Sequence, residues 1–335
     1  MNRNITLGYG SGGRLTGELV KEIFAGRFGM QGPLTDSSVL ENPGSDLAFT
    51  TDSYVVEPLF FPGGNIGKLA VCGTVNDLAV SGAIPVSLSS AFIIEENFPW
   101  DELDEIAASM ADEAARAGVR IVTGDTKVVG KGKCDRLFIT TSGIGKIRKG
   151  YENLATAANV RQDDLLIVNG SMGNHSIAVL AARNIFDFRT SVVSDVASLN
   201  FLAGKLLEEC HGIHFMRDIT RGGLASVMNE LCAMSGLGAE IEEEKTPVDE
   251  PVKGLCEILG FDPYYLANEG KMLVVCDSNE ASRALEIMQK DTLGKNAAII
   301  GRVTDDRRKI VVLNTIAGGK RILDHRSGLQ LPRIC

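Results

Sequence analysis

Apolar and β-branched residues cluster at Leu47 to Val56, Val86 to Ile94, Val119 to Val129 and Leu137 to Ile144, which predicts four strands. Stretches at about Ile66 to Val80 and Trp100 to Ala117 alternate with them and carry a helical period, so the first half reads as mixed α/β. From Lys146 to Asn159 the pattern lapses into a polar connection, and a second series opens at Asp164-Leu165-Leu166-Ile167-Val168-Asn169-Gly170. There, helices are expected at roughly Asp195 to Cys210, Thr220 to Met234 and Asn279 to Gln289, with strands at Met272 to Cys276 and Ala297 to Val303. Two short apolar stretches, Ile310 to Leu313 and Arg321 to Leu323, precede a polar tail, Asp324 to Gln330, that leads to Cys335. The expected division is therefore 1–155, 156–308 and a terminal portion, 309–335, with mobile tail.

A chain of 335 residues that is 44% hydrophobic can bury the core of roughly two domains. Its 34 basic and 43 acidic residues leave a net charge of −9, which argues against nucleic acid or an anionic membrane as the main partner. Phosphate, if bound, must be met locally by metal ions and backbone. The start, Met1-Asn2-Arg3-Asn4-Ile5, has no hydrophobic signal core, and no apolar run nears the roughly 20 residues of a membrane helix, so a cytoplasmic location is expected.

Seven cysteines, Cys72, Cys134, Cys210, Cys232, Cys256, Cys276 and Cys335, form no C-x-x-C pair and indicate neither a disulfide framework nor a structural zinc site. Most of the internal six stand in apolar surroundings, where free cysteine acts as a small hydrophobe. Cys335 is the last residue. A thiol on a fraying terminus can travel between sites while the folded body stays fixed; taken alone, it reads first as an incidental free cysteine.

Gly8-Tyr9-Gly10-Ser11-Gly12-Gly13 satisfies G-x-G-x-x-G, but only seven residues precede it, too few for the strand of a Rossmann turn. It reads either as a flexible lead or as a loop whose bare amides could close over phosphates. Gly63 to Leu69 is not a P-loop, because Leu69 stands where the motif needs a hydroxyl. Asp36 and Asp52 face each other within about one position across an expected hairpin turning at Asn42-Pro43-Gly44-Ser45; a cation between them would reverse their repulsion, though two exposed strand-end acids read equally well. Asp77 shares a helix face with Ile66, Ala70 and Gly73, so it points inward and needs a metal, a cation or several donors. Gly124-Asp125-Thr126-Lys127 closes a buried strand, where Lys127 is either a phosphate partner or a solvated lysine. Arg217-Asp218-Ile219-Thr220-Arg221-Gly222-Gly223 places an acid, Thr220 as N-cap and two glycine amides at a helix start. Asn268-Glu269-Gly270-Lys271 enters a strand, and Glu269 is either a loop acid or a general base.

Together with Thr50-Thr51-Asp52-Ser53-Tyr54, Phe60 to Lys68, Asn76-Asp77-Leu78-Ala79-Val80-Ser81-Gly82-Ala83, Val122 to Val128 and the terminal Pro332-Arg333-Ile334-Cys335, these residues carry a resemblance over nearly the whole chain. The chain resembles the HypE family of hydrogenase maturation proteins, within the PurM-like (aminoimidazole ribonucleotide synthetase) ATP-using superfamily. The resemblance implies an α/β (α+β) fold of two PurM-like domains, the first completing a β-barrel across a homodimer. It implies that Cys335 receives a carbamoyl group from a HypF-type carbamoyltransferase and that ATP drives its dehydration to a thiocyanate. The nitrile then passes to iron on a HypC–HypD complex. It also implies Mg²⁺ and nucleotide phosphates handled by Asp36, Asp52, Asp77 and Asp218, and a nucleotide site that includes Gly10, Ser11, Gly12, Gly13, Asn76, Gly124, Asp125, Thr126 and Thr220. Lys127 would stabilise the phosphate and Glu269 would act as base. Selenophosphate synthetases, which share the aspartates, carry a reactive Cys or Sec in the Gly-rich lead; here the first cysteine is Cys72. A small-molecule synthetase of the purine or thiamin type needs no terminal cysteine, and a scaffold that binds nucleotide only as a signal would leave its tail chemically unchanged.

Overall fold

The computed structural model describes residues 4–6, 19–29, 46–183, 190–324, 331 and 333–335. Gly10, Ser11, Gly12, Gly13, Asp36, the first strand of the expected hairpin and residues 325–330 of the tail lie outside the described residues. Among the described residues no helix is long and apolar enough to cross a membrane.

The first half contains β1 (Leu47–Tyr54), the short antiparallel pair β2 (Phe60–Phe61) and β3 (Gly64–Asn65), then α1 (Ile66–Val80), β4 (Ala83–Glu95), α2 (Trp100–Ala117), β5 (Arg120–Val129) and β6 (Leu137–Ile147). Its sheet has the order β1-β6-β4-β5, antiparallel except where β4 meets β5. The second half runs β7 (Leu165–Val168), α3 (Asn174–Ala182), α4 (Asn200–Glu209), β8 (Ile213–Asp218), α5 (Gly223–Ser235), β9 (Gly238–Glu242) and α6 (Glu250–Leu259). It continues through β10 (Met272–Cys276), α7 (Ala281–Gln289), β11 (Ala298–Thr304), β12 (Val311–Asn314) and β13 (Lys320–Ile322). These strands form one sheet, ordered β13-β12-β9-β11-β7-β10-β8, with a single parallel pairing of β12 and β9.

Helix α1 joins the two halves. The Asn65 side chain caps it by accepting from the N–H groups of Gly67 and Lys68 at 2.9 and 3.1 Å. It is apolar on all sides because it is covered on all sides: of its 15 residues, only Lys68 and Asp77 are not buried. Leu69, Cys72 and Val75 pack with Leu88, Phe92, Ile106 and Ile139 of the first sheet and α2, while Ala79 and Val80 pack with Leu199, Leu202 and Met216 of the second half. Val179, Val196, Ala267 and Ile334 enter the first core from later in the chain, so the halves share buried surface.

The expected helix over 195–210 begins only at Asn200. The preceding residues bond outward instead of closing helical turns: Ser194 N–H donates to Pro62, Ala197 N–H to Glu269 and Leu199 N–H to the Asn76 side chain. Helices α3 and α6 and strands β8 and β9 were not anticipated. α3 is buried from His175 to Leu180 and shows no polar face, and His214, Arg217 and Asp218 interrupt the apolar run of β8.

At Gly73, an added Cβ would stand 2.2 Å from the Tyr54 hydroxyl, because β1 crosses α1 at that point. Gly73→Ala is expected to destabilise the protein by about 1–3 kcal/mol in chemical denaturation. Adding Tyr54→Phe, which removes the nearest atom, recovers part of that loss; a double variant no more stable than Gly73→Ala alone would contradict the steric account.

Candidate active site

Alternate residues of β1 point toward α1. Thr50 Oγ1 donates to Asp77 Oδ2 at 2.7 Å, and the Tyr54 hydroxyl donates to Asp52 Oδ2 at 3.3 Å. Asp218 ends β8 opposite Met272 of β10 and is buried, as is Glu269 in the loop before β10. The acids feel one another. Burial, then the charges of Asp218 and Asp52, raise the pKa of Asp77 to about 7, and Asp77 and Asp52 lie near enough to share a hydrogen bond. Burial likewise raises Asp218 to about 6, against the lowering effect of Arg217. Glu269 is pushed well above the usual carboxylate range by burial, then by Asp218, Asp195 and Asp52, and its Oε1 has no hydrogen-bond partner.

Buried amides and one ion pair hold the Glu269 loop in place. The Asn268 side chain donates to the carbonyls of Ile219 and Leu266, both at 3.1 Å, and accepts from Gly173 N–H at 2.7 Å. Asn169 donates to the Gly270 carbonyl at 3.1 Å and accepts from Met272 N–H at 2.8 Å. Asp195 accepts from Glu269 N–H at 3.1 Å and pairs with Lys271 at 3.2 Å. Each residue satisfies backbone groups that a buried loop would otherwise leave unmet.

The end of the chain lies in this space. Glu57 N–H donates to the Arg333 carbonyl and Val55 N–H to that of Cys335, a short antiparallel pairing that extends past β1. Arg333 donates through Nε to the Val55 carbonyl at 2.9 Å and pairs with Glu57 and Asp135. Ile334 is buried in the first core. The Cys335 thiol lies within hydrogen-bond reach of Glu269, and burial, followed by the Glu269 and Asp52 charges, pushes its pKa far up while Arg221 opposes them. The terminus expected to fray is docked here, its thiol protonated.

The remaining expected site residues are placed differently. Asn76 uses its side chain as a bracket, donating to the carbonyls of Ala197 and Glu269 and accepting from Leu199 N–H. Gly124 falls in the register row Asp52–Thr141–Ser90–Gly124, three strand spacings from Asp52, or roughly 14 Å. Asp125 and Lys127 on that edge strand pair with each other at 2.7 Å, both exposed, and Thr126 N–H donates to Asp125. Thr220 is not the N-cap of α5, contrary to expectation. Its carbonyl accepts from Gly223 N–H, and the helix starts from Gly222 in the left-handed region. Gly223 is required there because a Cβ would meet the Tyr264 and Leu266 carbonyls at 2.5 and 2.7 Å.

Sequence reasoning missed Asp195, Arg221, Lys271, Asn268 and His175 as members of this neighbourhood. Arg221, Asn268 and Lys271 stood inside the Arg217–Gly223 and Asn268–Lys271 stretches without a role of their own, His175 stood beside Gly173-Asn174, and Asp195 carried no local signal. Elsewhere, at the opposite end of β8 from Asp218, His214 Nδ1 and Asp164 Oδ2 stand 2.7 Å apart with Asp277 nearby, and Asp164 also accepts from Arg161 N–H.

The two halves match the family models for the AIR synthase related protein, N-terminal domain, over residues 34–147, and C-terminal domain, over residues 161–314. The fold is thus that of an AIR synthase related protein. The chain is 49% identical to the carbamoyl dehydratase HypE of Rhodobacter capsulatus over 100% of this chain and 99% of that one. It belongs to the HypE carbamoyl dehydratase family. A crystal structure of a hydrogenase maturation protein HypE in complex with ATP matches with a TM-score of 0.93 at 44% identity, covering 98% of this chain and 99% of that one. A chain of a HypE–HypF complex matches with a TM-score of 0.80 at 51% identity, covering 84% and 90%.

Asp77 and Asp218 bind protons more tightly in the folded chain than at the ordinary value of 3.8. Their contribution to stability is therefore fully present below about pH 4 and is lost as pH rises through about 6 to 7. Asp77→Asn should accordingly stabilise the cation-free protein more at about pH 7.5 than at about pH 4.5, by on the order of 1–3 kcal/mol. Paired thermal melts read the difference, and the reverse order would contradict the crowding of these acids.

Proposed function

We propose that the chain is an ATP-dependent carbamoyl dehydratase acting on its own last residue. An S-carbamoyl group on Cys335 loses water and becomes S-cyanide, the source of a nitrile ligand for [NiFe]-hydrogenase iron. The observation that carries this reading is the half-buried Cys335 thiol within hydrogen-bond reach of Glu269 and within the field of Asp52, with Asp218 in turn beside Glu269. The full-length likeness to carbamoyl dehydratases supports it.

The oxygen of a thiocarbamate leaves poorly. Transfer of the γ-phosphoryl group of ATP to that oxygen releases ADP and turns it into a phosphate leaving group. Removal of both N–H protons and cleavage of the C–O bond then give C≡N and inorganic phosphate. Glu269 is the proposed base, and burial makes it, once ionised, a stronger base than a solvated carboxylate.

Magnesium fits the donor set, since Asp52 and Asp77 are hard oxygen ligands held close enough for the Asp52 charge to raise the proton affinity of Asp77. With Asp218 and Asp36 they would hold the ion, which supplies charge neutralisation at the nucleotide phosphates. Lys127 is assigned to the phosphate through the family resemblance alone; within one chain it is paired with Asp125. The domain limits 1–155, 156–308 and 309–335 belong to the same reading, as does a cytoplasmic site of action.

The HypF-bound relative supports a HypF-type carbamoyltransferase as carbamoyl donor, and a HypC–HypD complex carrying iron is the proposed acceptor. A homodimer accounts for the outer face of the first sheet, where Leu47, Phe49, Ile84, Val86 and Ile93 are exposed together.

Carbamoylated protein incubated with ATP and Mg²⁺ should lose about 18 Da, one water, in intact-mass measurements. Glu269→Gln should slow that loss by about 100-fold or more. A Cys335→Ala chain that still acquired the nitrile would end the proposal. Phe49→Asp should shift the sedimentation coefficient from dimer to monomer, and a monomeric wild type would remove the homodimer from the reading.

A further inference from the structure

Three carbonyls end the chain, and each has a donor. Arg333 is met by Glu57 N–H and the Arg183 guanidinium, Cys335 by Val55 N–H, and Ile334 by His175 Nε2 at 2.9 Å. His175 is fully buried at the start of α3 and packs edge-on against Phe61. The Ile334 carbonyl can only accept, so the ring proton sits on Nε2, and Nδ1 accepts from Ser194 Oγ at 2.7 Å. Ser194 Oγ in turn accepts from Val196 N–H at 3.1 Å. Every step in this relay has one direction, which fixes both the tautomer and the ring plane. Burial also holds the imidazole below its usual pKa, in keeping with a neutral ring.

The Ile334 carbonyl belongs to the peptide plane that carries the Cys335 nitrogen and Cα. Because that plane is rigid, a hydrogen bond to its oxygen sets the direction in which the cysteine side chain leaves the backbone. We propose that His175, oriented by Ser194, is a positioning residue for the reacting terminus, holding the Ile334 carbonyl so that Cys335 Sγ stands against Glu269. The proposal rests on the reading of Cys335 as the seat of the dehydration, and it adds a residue that touches neither the reacting atoms nor nucleotide.

The test compares His175→Ala, His175→Gln and Ser194→Ala with wild type. The glutamine amide can present an N–H near the place of Nε2, so it serves as the conservative rescue. First, uncarbamoylated protein is treated with iodoacetamide and the terminal peptide is followed by mass. Alkylation of Cys335 should be about tenfold faster in His175→Ala, the scale of one hydrogen bond, with His175→Gln near wild type and Ser194→Ala between them. Second, in carbamoylated protein the first-order loss of water at saturating ATP should fall about tenfold in His175→Ala, while the ATP concentration giving half-maximal rate stays put. Thermal melts identify any variant that has lost its fold, and the rescue then rests on Gln and Ser194→Ala.

Alkylation of His175→Ala within about twofold of wild type would overturn the proposal, as would equal impairment of the Gln and Ala variants. If wild-type carbamoylated protein loses no water, the proposed reaction fails by itself. The alkylation rates then still decide whether His175 holds the tail.

Discussion

Crowding of carboxyl groups in buried space is the constraint around which the rest of this molecule is arranged. Asp52, Asp77, Asp218 and Glu269 come from β1, α1, the end of β8 and the loop before β10; the charges of Asp52 and Asp218 raise the proton affinity of both Asp77 and Glu269, and that of Asp52 raises Asp218 as well. Such a cluster disfavours the folded state, because like charges in low dielectric repel strongly and burial removes their water. It persists because the elements that carry it are fixed by other forces. α1 is buried almost throughout, and the Glu269 loop is pinned by Asn169, Asn268, Asp195 and Asn76.

The docked tail closes this space. Its pairing with the backbone of Val55 and Glu57 gives it the order of a short strand, and Ile334 supplies the apolar burial that holds it. Thiol and carboxyl then meet, and burial raises the proton affinity of both. A carbonyl-to-imidazole contact, rather than further apolar packing, defines the direction of the last peptide plane. Apolar burial sets how strongly a segment binds, while hydrogen bonds set its geometry.

Much of the frame was legible from the pattern of residues. The expected spans of α1, α2 and β10 coincide with those observed, because their signals are local: a capping Asn65, a helical period from Leu103 to Ala117, an unbroken apolar run from Met272 to Cys276. Asp77 was read as facing inward from the stripe of Ile66, Ala70 and Gly73; it is half-buried and meets Thr50 of β1, but because α1 is covered on all sides the stripe alone did not single out that direction. Thr220 was misread as an N-cap because a hydroxyl before a helix is a common cap, whereas here the close approach of residues 264–266 demanded glycines and moved the helix start. The helix expected from Asp195 began late for a related reason. Its first residues found partners on α1 and at Glu269 that no local pattern announces.

What the sequence determined by itself was the set of elements, the chemistry of the acids and the presence of a thiol on the last residue, since each depends on neighbours a few positions away. The tertiary structure alone decided which of those groups meet. It brought Glu269, Asp52 and Cys335 together from three distant segments, left Asp125 and Lys127 paired on an edge strand, and recruited His175 and Ser194 to the tail. The physical reason is that charge repulsion, burial and hydrogen-bond direction act through space, and proximity in space is set only when both sheets have closed on α1.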